Sequence, residues 1–253
     1  MVAIIAIVIG GLIVLGAVFS AVTSTIASAL VHTDSRSLAV SGVSALDVDL
    51  SAGELVLIFD EGRTEAELEV TGTLGADAWT FAVEGDTLTV ASPHRFFGPA
   101  WWFGGSGRAA LHLPASLQDL DAKLGVSAGD LTATGEFGDL EVRLGAGAVT
   151  LDGTARQLDL GVSAGSADVT LADVRSADLR VSAGSVASHF AGAQPQSIMV
   201  DVSAGSVSLS VPDGDYDVRS DVSAGDFDSR IPATPGAASS IDVRISAGSV
   251  SLR

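Results

Sequence analysis

The sequence predicts an all-β protein: a β-solenoid of stacked rungs about 20 residues long with Ser-Ala-Gly corners, preceded by one transmembrane helix. Three observations predict it. Apolar and polar residues alternate with period two from about Leu38 onward, one tripeptide recurs at near-constant spacing, and an uncharged apolar run opens the chain.

The apolar run comes first in the chain. Residues 2–31 carry no charged side chain, and Ser20 is the only polar side chain between Val2 and Val22. A helix over Val2–Val22 rises about 31 Å, enough to cross a hydrocarbon core of about 30 Å. The run is longer than the apolar core of a secretory signal, about 7–15 residues. Residues 1–31 therefore read as a transmembrane helix or signal anchor. Ala27-Ser28-Ala29 fits a cleavage site and keeps a removed signal open, and a buried core helix is the third reading. No Lys or Arg precedes the run, so charge bias does not orient it. Residues 32–37 read as a linker and 38–253 as the repeat domain, with irregular first rungs over 38–113 and regular repeats over 114–253.

Ser-Ala-Gly occurs with its glycine at Gly53, Gly129, Gly165, Gly184, Gly205, Gly225 and Gly248, and Gly145-Ala146-Gly147 is a degenerate copy. From Gly129 the spacings are 18, 18, 19, 21, 20 and 23 residues. In Val200–Val211 the apolar positions are even before Gly205 and odd after it. A strand changes its inward parity only at a bulge or corner, and glycine supplies the positive φ that a corner needs. These eight glycines are the expected structural corners, with Ala at a crowded inner position and Ser facing out. A unit of this size buries its apolar face only against its neighbours, at about 4.8 Å per rung. A sandwich or barrel of hairpins is the rival arrangement.

Over 54–113 the pattern is less regular, with strand-like runs at Leu55–Phe59, Ala66–Val70, Trp79–Val83, Thr87–Val90 and Ala109–Leu113. A loop over 94–107 gathers Phe96, Phe97, Trp101, Trp102 and Phe103. These five aromatics read either as a cap over the open end of the stack or as a candidate binding patch for glycan, lipid or protein.

Composition narrows the chemistry. The 253 residues carry 31 Asp and Glu against 13 Lys and Arg, a net charge of −18, with Lys123 the single lysine. Without a basic face, no nucleic-acid partner is expected. The absence of cysteine excludes disulfides, cysteine-based metal sites and thiol catalysis. Gly125-Val-Ser127-Ala-Gly129 and Gly161-Val-Ser163-Ala-Gly165 match a nucleophile-elbow pattern, but no helix follows either one, so both read as repeated corners. His94, His112 and His189 have no metal-ligand spacing. Asp47, Asp49, Asp201, Asp221 and Asp242 fall on outward faces of different rungs, where Arg143, Arg180 and Arg219 can pair with them. The calcium-roll motif is absent. No catalytic residue, metal or cofactor is expected.

The run Leu111–Gly153, with its LPASL lead-in, its SAGD unit and its GDLEV unit, resembles the bacterial proteins with a DUF4097-type β-strand repeat, designated adhesins. The resemblance spans about Leu38 to Arg253. It implies an envelope protein with a solenoid-like domain outside the membrane, behind a single-pass anchor, and it implies no catalytic residues. The expected function is non-catalytic: adhesion, binding or envelope sensing. The alternatives are a carbohydrate-active enzyme on a solenoid, or a structural or regulatory subunit of a membrane complex. The expected partners are the membrane through residues 2–31, a protein or glycan, and a second copy through the edge left by Ser249–Leu252.

Overall fold

A computed structural model describes residues 32–72, 75–93 and 107–253. The described residues form β-strands and two short 3-10 turns, Ala76–Ala78 and Ala115–Leu117. The predicted transmembrane segment, residues 1–31, lies outside them, and among the described residues no helix is long and apolar enough to cross a membrane. Among the described residues the fold class is corrected to all-β with no helix that can cross a membrane, and the membrane-anchor and single-pass expectations are corrected to that extent.

The amino-terminal part is mixed. Strands β1 (His32–Ala39), β4 (Glu65–Gly72) and β7 (Arg108–Pro114) pair antiparallel in that order, and β5 (Thr80–Glu84) pairs antiparallel with β6 (Thr87–Ala91). Residues 32–37, expected as a linker, are most of β1. Asp34 of that strand accepts the Ala76 N–H at 3.1 Å, and the Arg36 guanidinium lies 6.0 Å from the Phe81 ring centre.

From β2 (Ala45–Leu50) and β3 (Gly53–Asp60) onward, successive coils pair in parallel rather than as hairpins. β2 lies between β6 and β8 (Leu120–Ala172), and β3 lies between β7 and β8. β8 is one continuous extended run that carries three corners. β9 (Ser176–Ala191) and β10 (Ser197–Ser210) follow it in parallel. The repeats stack in register, so that Gly165, Gly184, Gly205 and Gly248 face one another across four coils.

Alternation in the sequence becomes rows in the core. Leu160, Leu179, Val200 and Val243 form one row, each 2 % exposed or less. Burying a side chain of this size stabilises by about 1.5–3 kcal/mol. The corners explain the parity switch: every repeat glycine has φ between +110° and +159°. A Cβ on Gly205 would lie 2.3 Å from the Gly184 carbonyl oxygen, and one on Gly147 would lie 1.9 Å from that of Gly129. The alanine differs from expectation. Ala164, Ala183, Ala204 and Ala247 are exposed, because the chain turns outward over Ser-Ala before the glycine turns it back.

Coil order departs from chain order. β13 (Ser239–Leu252) inserts between β10 on one side and β11 (Tyr216–Val222) and β12 (Gly225–Ser229) on the other. The expected open edge at Ser249–Leu252 is therefore corrected: β13 is paired on both sides, and the β11–β12 coil ends the stack. Polarity accounts for the exchange. β13 sends Ile241, Val243, Ile245, Val250 and Leu252 into the core, whereas the β11–β12 coil has Ser220 and Ser229 in the rows of Val243 and Leu252. A coil with polar inner positions costs least at the end of a stack, where it also caps the core.

Candidate functional site

The strands that precede the Ser-Ala-Gly corners share one outward face. The position four residues before each corner serine forms a row across the stack. In this row Asp47 pairs with Lys123, and Asp159, Asp178, Met199, Asp242 and Arg219 follow one another. A second row runs through Arg180, Asp201, Arg244 and Asp221. The face is concave: a groove of about 810 Å³ is lined by seven carboxylates, including Asp47, Glu141, Asp159, Asp178 and Asp242, with Lys123 the single basic side chain among its lining residues. A smaller groove of about 440 Å³ adjoins it beside Arg143 and Arg180.

Like charges on adjacent strands about 4.8 Å apart repel, and interleaved guanidinium groups relieve the repulsion. Arg143 donates to both carboxylate oxygens of Asp159, at 3.1 and 2.9 Å, and approaches Glu141 at 3.3 Å. Arg180 donates to Asp159 at 2.9 Å and also to Asp178. The Arg143 hydrogen bond is the largest reason that the Asp159 carboxyl lies below its ordinary range, and the same bond raises Arg143. Asp178 moves the other way. Burial is the first cause and the neighbouring Asp159 adds to it, while Arg180 pulls it down. Its Oδ1 is buried and accepts no hydrogen bond among the described residues. Farther along the groove, Arg156 bonds Asp121 at 3.2 Å and comes within 3.9 Å of Asp139.

Two carboxylates pushed in opposite directions can serve acid–base hydrolysis. Here both oxygens of Asp159 are engaged by arginines, which makes the pair part of a neutralised ladder. Among the described residues no three His, Cys, Asp or Glu side chains are grouped to hold a metal ion. Beyond the corners the outward face is hydroxyl-rich in the middle coils, with Ser166, Ser185, Ser206 and Ser249 in one row, and it carries Asp168, Asp226 and Asp228 as well.

The predicted residues are distributed as follows. Gly53, Gly129, Gly147, Gly165, Gly184, Gly205, Gly248 and Gly225 stand in one column at the corner, clear of the groove lining. Phe96, Phe97, Trp101, Trp102 and Phe103 lie outside the described residues, as does His94. Ser127 and Ser163 sit on exposed β corners. His112 pairs with Asp60 at 2.8 Å. Asp60 is held below its ordinary range, first by Arg63 and then by His112. Arg143, Arg180 and Arg219 do meet acidic partners. Sequence reasoning missed the groove itself, whose signal was the fixed offset of the acids before each corner.

No family model matches the chain, and no curated protein matches it. Solved bacterial structures are similar to it. A candidate cell adhesion protein from Clostridium sporogenes is 10% identical, with 88% of this chain and 98% of that one covered and a TM-score of 0.38. A candidate adhesin from Parabacteroides distasonis is 13% identical, with 88% and 97% covered and a TM-score of 0.37. A candidate lipid-binding protein from the same organism is 15% identical, with 88% and 97% covered and a TM-score of 0.43.

Proposed function

We propose that the protein is a non-catalytic binding protein that presents its acidic grooved face to a cationic, extended partner, as an adhesive or scaffolding surface would. The observation that carries this reading is the groove lined by seven carboxylates and one lysine. A chain of net charge −18 attracts such a partner over a distance and reads it by spacing along the stack. Asp47, Glu141 and Asp242 are groove acids whose neutralisation leaves the hydrogen bonds from Arg143 and Arg180 to Asp159 in place.

Binding of the full chain to an immobilised lysine-rich peptide, with a glutamate-rich peptide as control, tests the reading. Specific binding should weaken steeply with salt and drop in the Asp47→Asn, Glu141→Gln, Asp242→Asn triple variant. Equal binding to both peptides, or no loss in the triple variant, overturns it.

A further inference from the structure

Among the described residues, no strand pairs with the outer edge of β11 in the β11–β12 coil. Ser223 donates its N–H to Ile245 at 2.8 Å, which directs the backbone groups of the odd-numbered residues of β11 toward β13. Those of the even-numbered residues point away from the stack. The first of them, Tyr216, is taken by the following loop, whose Thr234 N–H donates to its carbonyl at 2.8 Å. Val218, Ser220 and Val222 remain, with β11 paired to β13 alone over this stretch. Val222 is 38% exposed, among the most exposed large apolar side chains described.

The outward side chains on this edge are Arg219 and Asp221, one on each side of Ser220. An antiparallel copy centred on Ser220 would set Arg219 opposite Asp221 twice, and Val218 opposite Val222 twice, with Ser220 facing itself. A slip of two residues in either direction, the smallest that keeps the same faces together, sets Arg219 on Arg219 or Asp221 on Asp221, so the charges select one register. Arg219 is 65% exposed while it contacts Asp217 at 2.5 Å, and Asp221 makes no ion pair among the described residues. The alternative of seating one whole end coil on another would oppose Arg219 with Arg230 and Asp221 with Asp228. The charge pattern therefore fits pairing of β11 alone.

We propose that β11 is a homodimer interface, formed by two copies of this chain through antiparallel pairing of Val218–Val222 about a two-fold axis at Ser220. The chain has no cysteine, so Ser220→Cys introduces a single thiol at the axis. Under mild oxidation the full-length Ser220→Cys variant should cross-link to a dimer much faster than an Asp228→Cys control on the neighbouring strand. In sedimentation, Arg219→Asp should weaken association about tenfold by setting acids opposite acids, and Arg219→Asp combined with Asp221→Arg should restore it. A chain that stays monomeric at all concentrations, equal cross-linking of the two cysteine variants, or failure of the double variant to recover association would each overturn the proposal.

Discussion

Arg143 grips both carboxylate oxygens of Asp159, at 3.1 and 2.9 Å, from the adjacent coil, and Arg180 holds one of the same oxygens from the other side at 2.9 Å. One acid thus ties three coils together on the open face of the groove. Asp159 remains 40% exposed, so solvent screens the pairs and their contribution is modest, under about 1 kcal/mol each.

Asp159 and Asp178 should give opposite pH signatures. The folded-state shift of Asp159 is downward, so its stabilisation is present above the unfolded-state value and is lost as pH falls through the folded one. Asp178 is shifted upward, so its ionised form opposes folding at neutral pH, and that opposition disappears on acidification. Asp178→Asn should therefore raise stability slightly at pH 7, by less than about 1 kcal/mol, with the gain vanishing in acid. Thermal melts across pH check it. A gain that persists unchanged in acid contradicts the assignment.

The corner column should tolerate no side chain. In Gly165→Ala the new Cβ would meet the Gly147 carbonyl oxygen at 2.2 Å, at a φ of +135°. A loss of about 1–3 kcal/mol is expected in denaturant unfolding. Gly62→Ala, where nothing lies within 4 Å, should change stability by about 0.5 kcal/mol or less.

Ser188 is a defect in an apolar row. It is 4% exposed, its hydroxyl makes no hydrogen bond among the described residues, and its row neighbours Val169 and Leu209 are apolar. Ser188→Ala removes an unsatisfied group and should stabilise by about 0.5–1 kcal/mol in the same assay. A loss of stability would show that the hydroxyl has a partner.

Phe137 should be among the costliest core truncations. It is 1% exposed and meets Phe59 edge-on with ring centres 5.7 Å apart. Phe137→Ala should cost about 3–5 kcal/mol. Gly135 belongs to the same contact, because a Cβ there would strike the Phe59 ring at 2.2 Å.

Period-two alternation made the strands and their in-register rows from Gly129 onward legible, because it is a local property repeated many times. The pairing of Arg143 and Arg180 with acids followed from the same register. The antiparallel β1–β4–β7 ladder was not legible: which strand neighbours which depends on tertiary packing, and residues 32–37 carry no strong apolar face. Coil order was not legible from the spacing, because chain order does not fix spatial order, although Ser220 and Ser229 at core positions mark their unit as the terminal one. The aromatics of the 94–107 loop were weighed as a cap or a patch, while the groove acids, split among coils many residues apart, converge only once the stack exists. The expected membrane helix gained no support, since nothing among the described residues can cross a bilayer as a helix.

The insertion of β13 between β10 and the β11–β12 coil has a consequence in time. From β8 the coils stack in chain order as far as β10, and then the next segment along the chain is the wrong one. β11 precedes β13 in the chain, and its corner matches β10 for contact in the same glycine register. The native order requires that contact to be absent or to be undone, so that fourteen later residues can slide into a slot paired on both flanks. The two serines keep the early pairing weak: a coil with Val in place of Ser220 and Leu in place of Ser229 would grip β10 hard and lock the final strand out of its own fold.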